Sequence, residues 1–274
     1  MNLQSKDLLY GLDEYKRVQI NKPLFKMIYD YVHHASEENK QAVIDSVPYM
    51  IRTKTSAIID RLANDLDNVD KLIELFLATH TVDATLLSNL QTAIKEFPEV
   101  NWRDGLSRFQ VQSKIWAAEQ LKSYDLGTIC LCGGWIGTLA RIILIEANDN
   151  SKVISYDIDD VANRAGMILN LDLASKGKYL AVDHDIYTVD YSVHDTIVNT
   201  ICEHVANFQA WLDMIPTGKL LLLQTNNMFE MQDHVNCVET LEEFEKQCHD
   251  IDIVYSGSIS YAGWHRFMII GFKR

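Results

Sequence analysis

The sequence predicts an α/β protein in which an all-α region precedes a doubly wound, seven-stranded, mostly parallel sheet with a C-terminal antiparallel hairpin. Two observations lead to this fold class. Up to about residue 123, apolar side chains recur every three or four residues, which is typical of amphipathic helices. After Tyr124, short apolar runs alternate with helical segments, which is the pattern of β-α-β units. We therefore expect two domains, a helical cap or substrate domain over 1–123 and a ligand-binding domain over 124–274.

The helices of residues 1–123 are predicted from residues that favour a helix start and from apolar residues at helical spacing. A helix start is predicted at Asn21-Lys22-Pro23, because proline in a first turn lacks an N–H that would be unpaired anyway. An apolar stripe with spacings of three and four runs from Ile58 to Phe76. Further helices are predicted from Ala84 to Phe97 and from Ser107 to Lys122.

The second region is divided into strands and helices in turn. Strands are expected at 127–132, 152–157, 179–183, 195–200, 219–225, 251–259 and 265–272. Helices are expected near 138–147, 160–176, 203–214 and 239–248, with one link too short for a full helix. Only a few residues, Gly263 among them, separate the last two strands, so these should pair as an antiparallel hairpin.

Composition excludes several classes of protein. Apolar residues make up 47% and charged residues 23% of the 274 residues, which is ordinary for a soluble globular chain. No run approaches the roughly 20 apolar residues that span a membrane, and the polar N-terminus does not resemble a secretion signal. A net charge of −13 disfavours a nucleic-acid partner, because such affinity comes mainly from basic residues that neutralise phosphates.

The cysteines indicate a reducing compartment. There are five, an odd number without the density of a disulfide-stapled domain. Cys130 and Cys132 lie two apart in a predicted strand, so they should point to one face as small buried side chains. We expect no metal site and a cytoplasmic protein, and a homodimer is compatible with the sequence.

A glycine-rich loop follows the first predicted strand. Thr128–Cys132 runs straight into Gly133-Gly134-Trp135-Ile136-Gly137, and a helix is expected to begin at Thr138. Glycines at this place let the backbone approach a ligand, and the helix N-terminus adds exposed N–H groups, so a nucleotide or nucleoside suits the loop. The glycines could equally serve the turn alone. A phosphate-binding P-loop is excluded, since no Gly-Lys-Ser/Thr follows.

Acidic residues end the next two predicted strands. Asp157 ends the second strand, where a carboxylate can accept hydrogen bonds from both hydroxyls of a ribose. Asp159 or Asp160 could instead cap the following helix. After the third strand, Asp185 and Ile186 could receive an adenine ring, the carboxylate binding the amine and the apolar side chain packing on the face. The alternative is that these acids only line the surface.

Reactive groups are densest at the end of the fourth predicted strand. Asn199 and Thr200 could orient a ligand or substrate, while Glu203 or His204 could remove a proton from an acceptor. Each also has a structural alternative, such as an acid that favours a helix N-terminus. After the fifth strand, Asn226 and Glu230 are candidates for binding a polar substrate, and turn formation is the alternative for Asn226.

This order of motifs resembles the class I S-adenosylmethionine-dependent methyltransferases, over roughly residues 107–274. The resemblance implies S-adenosylmethionine as cofactor, bound by Gly133, Gly134, Trp135, Gly137, Asp157, Asp185, Ile186 and Asn199, with Lys114 a candidate for the methionine carboxylate. It also implies that the last strand runs antiparallel beside the fifth. Two departures stand out: Cys132 directly precedes the loop, and Trp135 occupies the position of the middle glycine. The methionine end of the cofactor could therefore lie differently, with Trp135 covering it.

The function that these features favour is methyl transfer to a small-molecule or peptide acceptor. An aminocarboxypropyl transferase resembling nicotianamine synthase is the first alternative, because that family also places a helical domain before such a sheet. A nicotinamide-dependent oxidoreductase or an inert nucleoside-binding module is the second. The absence of a clean Gly-x-Gly-x-x-Gly and the closing hairpin argue against the nicotinamide alternative.

Overall fold

A computed structural model describes residues 84–146, 151–261 and 263–274, together with Ser36 and Glu38. The helix start predicted at Asn21 and the stripe from Ile58 to Phe76 lie outside the described residues. Contacts between Cα atoms divide the chain between Val111 and Gln112 into two compact units. The domain boundary placed after residue 123 stays a prediction.

Between residues 84 and 121, three helices precede the sheet: α1 (Ala84–Glu96), α2 (Trp102–Gly105) and α3 (Arg108–Leu121). The two long ones end within one residue of the predicted bounds. The side chains of α3 that are buried at helical spacing are Val111, Ile115, Ala118 and Leu121. These four positions are apolar and three or four residues apart, so here the periodicity of the sequence identifies both the helix and its buried side.

Seven strands in the described part of the chain form one sheet, and each strand end lies within two residues of its predicted place. The strands are β1 (Thr128–Cys132), β2 (Lys152–Asp157), β3 (Tyr179–Asp183), β4 (Thr196–Asn199), β5 (Leu220–Asn226), β6 (Ile251–Tyr261) and β7 (Trp264–Lys273). Their order across the sheet is β3-β2-β1-β4-β5-β7-β6. The first five strands are parallel, and β7 lies antiparallel between β5 and β6. The predicted fold class is confirmed.

The helices that follow β1 in the described residues are α4 (Thr138–Glu146), α5 (Asp160–Leu169), α6 (Leu171–Ala174), α7 (Phe208–Asp213) and α8 (Leu241–Gln247). Two predicted helices were too long. The helix expected over 160–176 breaks at Asn170, whose buried side-chain amide donates to the carbonyls of Gly137 and Gly166. The helix expected over 203–214 is replaced by a 3₁₀ turn at Cys202–His204 and by α7, because Asn207 caps α7 by accepting the Ala210 N–H.

The link between β3 and β4 holds two 3₁₀ turns, Ile186–Thr188 and Tyr191–Val193, as the short sequence there requires. Buried aromatic side chains fix it to the sheet. The Trp211 indole N–H donates to the Tyr191 hydroxyl at 2.7 Å, and that hydroxyl donates to the Ile186 carbonyl at 2.6 Å. Both polar tips are thereby paired inside the core, which buried Trp and Tyr require.

His194, at the end of this link, is fully buried and its Nε2 lies 3.1 Å from the Tyr156 hydroxyl. Burial lowers the pKa of His194, and the charge of Lys219 adds to the effect. The folded protein therefore disfavours protonation, so the stability that His194 contributes is present above the unfolded pKa of about 6.5 and is lost as the pH falls through it.

We expect the free energy of unfolding to decrease on acidification from about pH 7.5 to about pH 5.5, and His194→Gln to reduce that slope. Urea denaturation at each pH measures it. His249→Gln, which changes a ring that is 60% exposed, is the control and should keep the wild-type slope. Equal slopes for wild type and His194→Gln would contradict the assignment.

Candidate functional site

The candidate site lies outside the carboxyl ends of β1 and β4. The strand order runs β3-β2-β1 to one side and β4-β5 to the other, so the chain changes direction between β1 and β4. At such a point the loops that follow the two strands diverge and leave a crevice for a ligand. Cys132 and Asn199, the last residues of the two strands, are partners in the parallel ladder.

Gly133 and Gly134 pack so closely on neighbouring side chains that neither position has room for a Cβ. Gly133 has φ +61°, and a Cβ there would overlap the Ile201 side chain that follows β4. A Cβ on Gly134 would overlap the Ser155 hydroxyl of β2. The two glycines therefore allow the loop backbone to lie close to Ile201 after β4 and to Ser155 in β2, in addition to allowing the turn.

Asp157, at the tip of β2, is bonded to the same loop. Its Oδ2 accepts the Trp135 N–H at 2.8 Å, and its Oδ1 accepts the Asp159 N–H at 3.0 Å. Burial raises the pKa of Asp157, while these two N–H donors act against that rise. Trp135 has φ +47°, a left-handed conformation uncommon for a residue with a side chain. The bond to Asp157 holds the loop in this conformation, and each carboxylate oxygen keeps capacity for a further donor.

At the tip of β3, Asp185 is exposed and begins a 3₁₀ turn. Its Oδ1 accepts the Tyr187 N–H at 2.9 Å, so it acts as a local cap. Ile186 is half-buried and packs against the core. The structure thus places an exposed carboxylate beside a partly buried apolar side chain, which is the pairing expected for an adenine, and the adenine contact itself stays a prediction.

At the tip of β4, Asn199 is fully buried. Its Oδ1 accepts the Ile201 N–H at 2.9 Å, whereas its Nδ2 has no hydrogen-bond partner among the described residues. Thr200 is also buried, and its carbonyl accepts a bond from Arg266 at 3.1 Å. A buried amide without an acceptor is costly, so an acceptor supplied to the Asn199 Nδ2 would be stabilising.

Glu203 proves to be a buried, paired carboxylate. Its Oε1 accepts from Asn226 Nδ2 at 2.6 Å and lies 3.2 Å from Arg266 Nη2. Its Oε2 is buried and has no hydrogen-bond partner in the described part of the chain. Asn226, a candidate for substrate binding, is itself fully buried and also accepts the Met228 N–H. The Asn226 amide therefore helps to hold the Glu203 carboxylate in place.

His204 and His234 meet at the exposed edge of this cluster. Their rings lie edge to face with centroids 4.7 Å apart. His204 Nδ1 lies 3.1 Å from the Asp233 carbonyl oxygen and 3.3 Å from the Asp233 carboxylate. Burial lowers the pKa of His234. One donor atom each of Glu203, His204 and His234 lies within 4.8 Å of the other two, so these residues could hold a metal ion.

The remaining candidates lie at the periphery. Lys114 is half-buried on α3, and Glu230 is exposed in the turn after β5. The sequence did not predict that Arg266 would reach Glu203, 63 residues before it, because that contact depends on the insertion of β7 beside β5. It also left His234 without a role, since no local spacing links that residue to His204.

Two solved structures show the same fold. Geranyl diphosphate methyltransferase in complex with SAM is 9% identical with a TM-score of 0.50, over 62% of this chain and 87% of that one. The N-methyltransferase NodS from Bradyrhizobium japonicum WM9 in complex with S-adenosyl-L-homocysteine is 10% identical with a TM-score of 0.50, over 67% of this chain and 98% of that one. At these identities the likeness shows the fold alone, which is that of the class I S-adenosylmethionine-dependent methyltransferases.

Comparison at the level of sequence adds no relative: no protein-family model and no curated protein matches the chain. Among the helices that the structure describes, none is both long and apolar enough to cross a membrane.

Substitution of Gly133 should separate the two contributions to stability at this position, the close packing of the loop and the strain of its left-handed backbone. Gly133→Ala places a side chain at φ +61° and against Ile201, whereas Gly177→Ala places one at φ +69° in open space. Both pay about 1–2 kcal/mol for the left-handed conformation, and Gly133→Ala should lose a further ~1–3 kcal/mol by overpacking. Chemical denaturation measures both, and equal losses would show that the close approach has no energetic cost.

Proposed function

We propose that this protein is an S-adenosylmethionine-dependent methyltransferase acting on a small-molecule or peptide acceptor. The observation that carries the proposal is the bonded unit of glycine loop and Asp157 at the crevice between β1 and β4. There Gly133 and Gly134 bring the loop backbone close to the strand ends, and the Asp157 carboxylate at the next strand tip keeps capacity for a further donor. The two similar structures, which are methyltransferases with SAM or its product bound, support the same ligand.

The described residues fit the nucleoside and the methionine parts of the cofactor. Asp157 would accept from the ribose hydroxyls, and Asp185 with Ile186 would hold the adenine. The unpartnered Asn199 amide would donate to the methionine end, which gives a buried donor its acceptor. When bound, S-adenosylmethionine supplies an activated methyl group on a sulfonium.

The acceptor would lie beside Asn199 and Thr200, toward Glu203 and His204. An acceptor that carries a proton needs a group to remove it, and the exposed imidazole of His204 is better placed than the Arg266-paired Oε1 of Glu203. The loop after β5 exposes several large apolar side chains, Phe229, Met231 and Val235. These favour an acceptor with an apolar part.

Of the alternatives, a nicotinamide-dependent oxidoreductase is disfavoured by the sheet. The dinucleotide-binding fold continues its parallel order through a sixth strand, whereas here β7 runs antiparallel next to β5. Aminocarboxypropyl transfer uses the same cofactor and stays the second candidate, because it differs only in which sulfonium substituent the acceptor attacks.

Isothermal titration with S-adenosylhomocysteine tests the cofactor. We expect Asp157→Ala to weaken binding by roughly 10- to 100-fold, since hydrogen bonds to a charged group are worth about 1.5–3 kcal/mol. Asp157→Asn keeps an oxygen for the Trp135 N–H and tests the charge by itself. Asp160→Ala removes an exposed acid of α5 that pairs with Arg164, and it should bind as the wild type does. Failure of the wild type to bind would refute the proposal.

The identity of the nucleoside product separates the two transfer reactions. The proposed methyl transfer releases S-adenosylhomocysteine, and aminocarboxypropyl transfer releases methylthioadenosine. Mass spectrometry of the product, after incubation with a panel of hydroxyl, amine and thiol acceptors, distinguishes them. Methylthioadenosine as the acceptor-dependent product would replace methyl transfer by the second candidate.

A further inference from the structure

We propose that Glu203, His204 and His234 form a binding site for a divalent first-row transition metal ion at the acceptor side of the crevice. The sequence predicts no metal site, because the three residues are not arranged in a local motif. The fold brings them together: Glu203 and His204 follow β4, and His234 lies in the loop after β5. One donor atom of each lies within 4.8 Å of the other two.

Both imidazoles have a backbone carbonyl partner on one ring nitrogen, as metal-bound histidines usually do. His204 Nδ1 is 3.1 Å from the Asp233 carbonyl oxygen, and His234 Nδ1 is 3.1 Å from the Met228 carbonyl oxygen. A carbonyl oxygen only accepts, so in each neutral ring the proton is on Nδ1 and the lone pair is on Nε2. A backbone or carboxylate partner on the second nitrogen fixes the tautomer and the ring orientation of metal-bound histidines.

Glu203 supplies the third donor. Its side chain is only 3% exposed, its Oε1 is held by Asn226 and Arg266, and its Oε2 has no hydrogen-bond partner among the described residues. A buried carboxylate oxygen without a donor costs free energy. Coordination of a cation would satisfy it, while the bonds to Oε1 would keep the carboxylate in place.

The donor set indicates the class of metal. Two imidazole nitrogens and one carboxylate suit Zn²⁺, Fe²⁺ or Co²⁺, whereas Mg²⁺ and Ca²⁺ prefer oxygen ligands alone. Arg266 lies against Glu203 and offsets its negative charge, which further weakens a site for a hard cation held by charge. The Asp233 carboxylate, 3.3 Å from His204 Nδ1, adds a negative charge behind that ring.

The geometry requires a small contraction and leaves coordination positions open. Around a tetrahedral zinc ion the ligand atoms lie roughly 3.3 Å apart, so the rings must move inward by ~1–2 Å. His204 is 33% exposed and can rotate without displacing core side chains. Three protein ligands with an open side are typical of catalytic metal sites. Given the proposed function, the open side would bind an acceptor oxygen or thiol and lower its pKa, a task otherwise left to His204.

Metal titration in the absence of S-adenosylmethionine and acceptor tests the site independently of transfer. Chelator-treated full-length protein is titrated with Zn²⁺ and, separately, with Mg²⁺ by calorimetry, and with Co²⁺ by visible absorption. We expect one Zn²⁺ per chain, at least ~10-fold tighter than Mg²⁺, and Co²⁺ bands typical of nitrogen and oxygen ligands. His204→Asn and His234→Gln should each weaken Zn²⁺ binding by at least ~10-fold.

Two further variants complete the test. His249→Gln changes an exposed histidine beside Asp250 and should bind Zn²⁺ as the wild type does. Glu203→Gln should also lose affinity, but it breaks a buried ion pair, so its fold is checked by circular dichroism and the two histidine variants decide. Zn²⁺ affinity that is equal in wild type, His204→Asn and His234→Gln would overturn the proposal, as would absence of wild-type binding.

Discussion

The buried ion pair of Glu203 and Arg266 is the constraint that organises the residues around the tips of β4 and β5. Glu203 follows β4 and Arg266 belongs to β7, and Asn226 at the end of β5 bonds to the same carboxylate. Removing one partner of such a pair typically costs about 3–5 kcal/mol, because the other charge is left uncompensated. The network therefore fixes the ends of three strands relative to one another. The candidate ligand-binding residue Asn199 ends the first of them, and Thr200 follows it.

The same ion pair also shows that the reactive residues after β4 and β5 are of two kinds, buried and surface-accessible. Glu203 and Asn226 are buried and bonded to protein, so they position their neighbours. His204 and His234 reach the surface with one ring nitrogen each still free to accept. The sequence shows the chemical type of each of these four residues, but it does not show how deeply each is buried. Burial is what distinguishes a residue that positions its neighbours from one that can contact a substrate.

Much of the sheet follows from the sequence because buried parallel strands are nearly continuous apolar runs. β4 and β5 are buried along their whole length, and their predicted bounds are correct within one residue. The proximity of Gly133 and Asp157 is also predictable, since strands joined by a short helix pair side by side. A helix break caused by a single polar side chain, such as that of Asn170, cannot be detected from the spacing of apolar residues. The contact of Arg266 with Glu203, 63 residues before it, could not be predicted either, because it depends on the order of the strands in the sheet.

Trp135 shows how the loop can depart from the sequence of the fold's usual glycine loop and yet keep its shape. The residue adopts the left-handed conformation that a glycine would adopt without strain, and Asp157 compensates by accepting its N–H. The half-buried indole side chain distinguishes this loop from an all-glycine one. Its backbone conformation depends on the neighbouring strand, because Asp157 ends β2.

The insertion of β7 between β5 and β6 has a consequence for biosynthesis. On a ribosome, β5 and β6 are made before β7, so the inner edge of the sheet has no partner while the strand that will cover it is still untranslated. During that interval Glu203 also lacks its guanidinium. The network of Glu203, Asn226 and Arg266 is thus completed only after β7 has been translated.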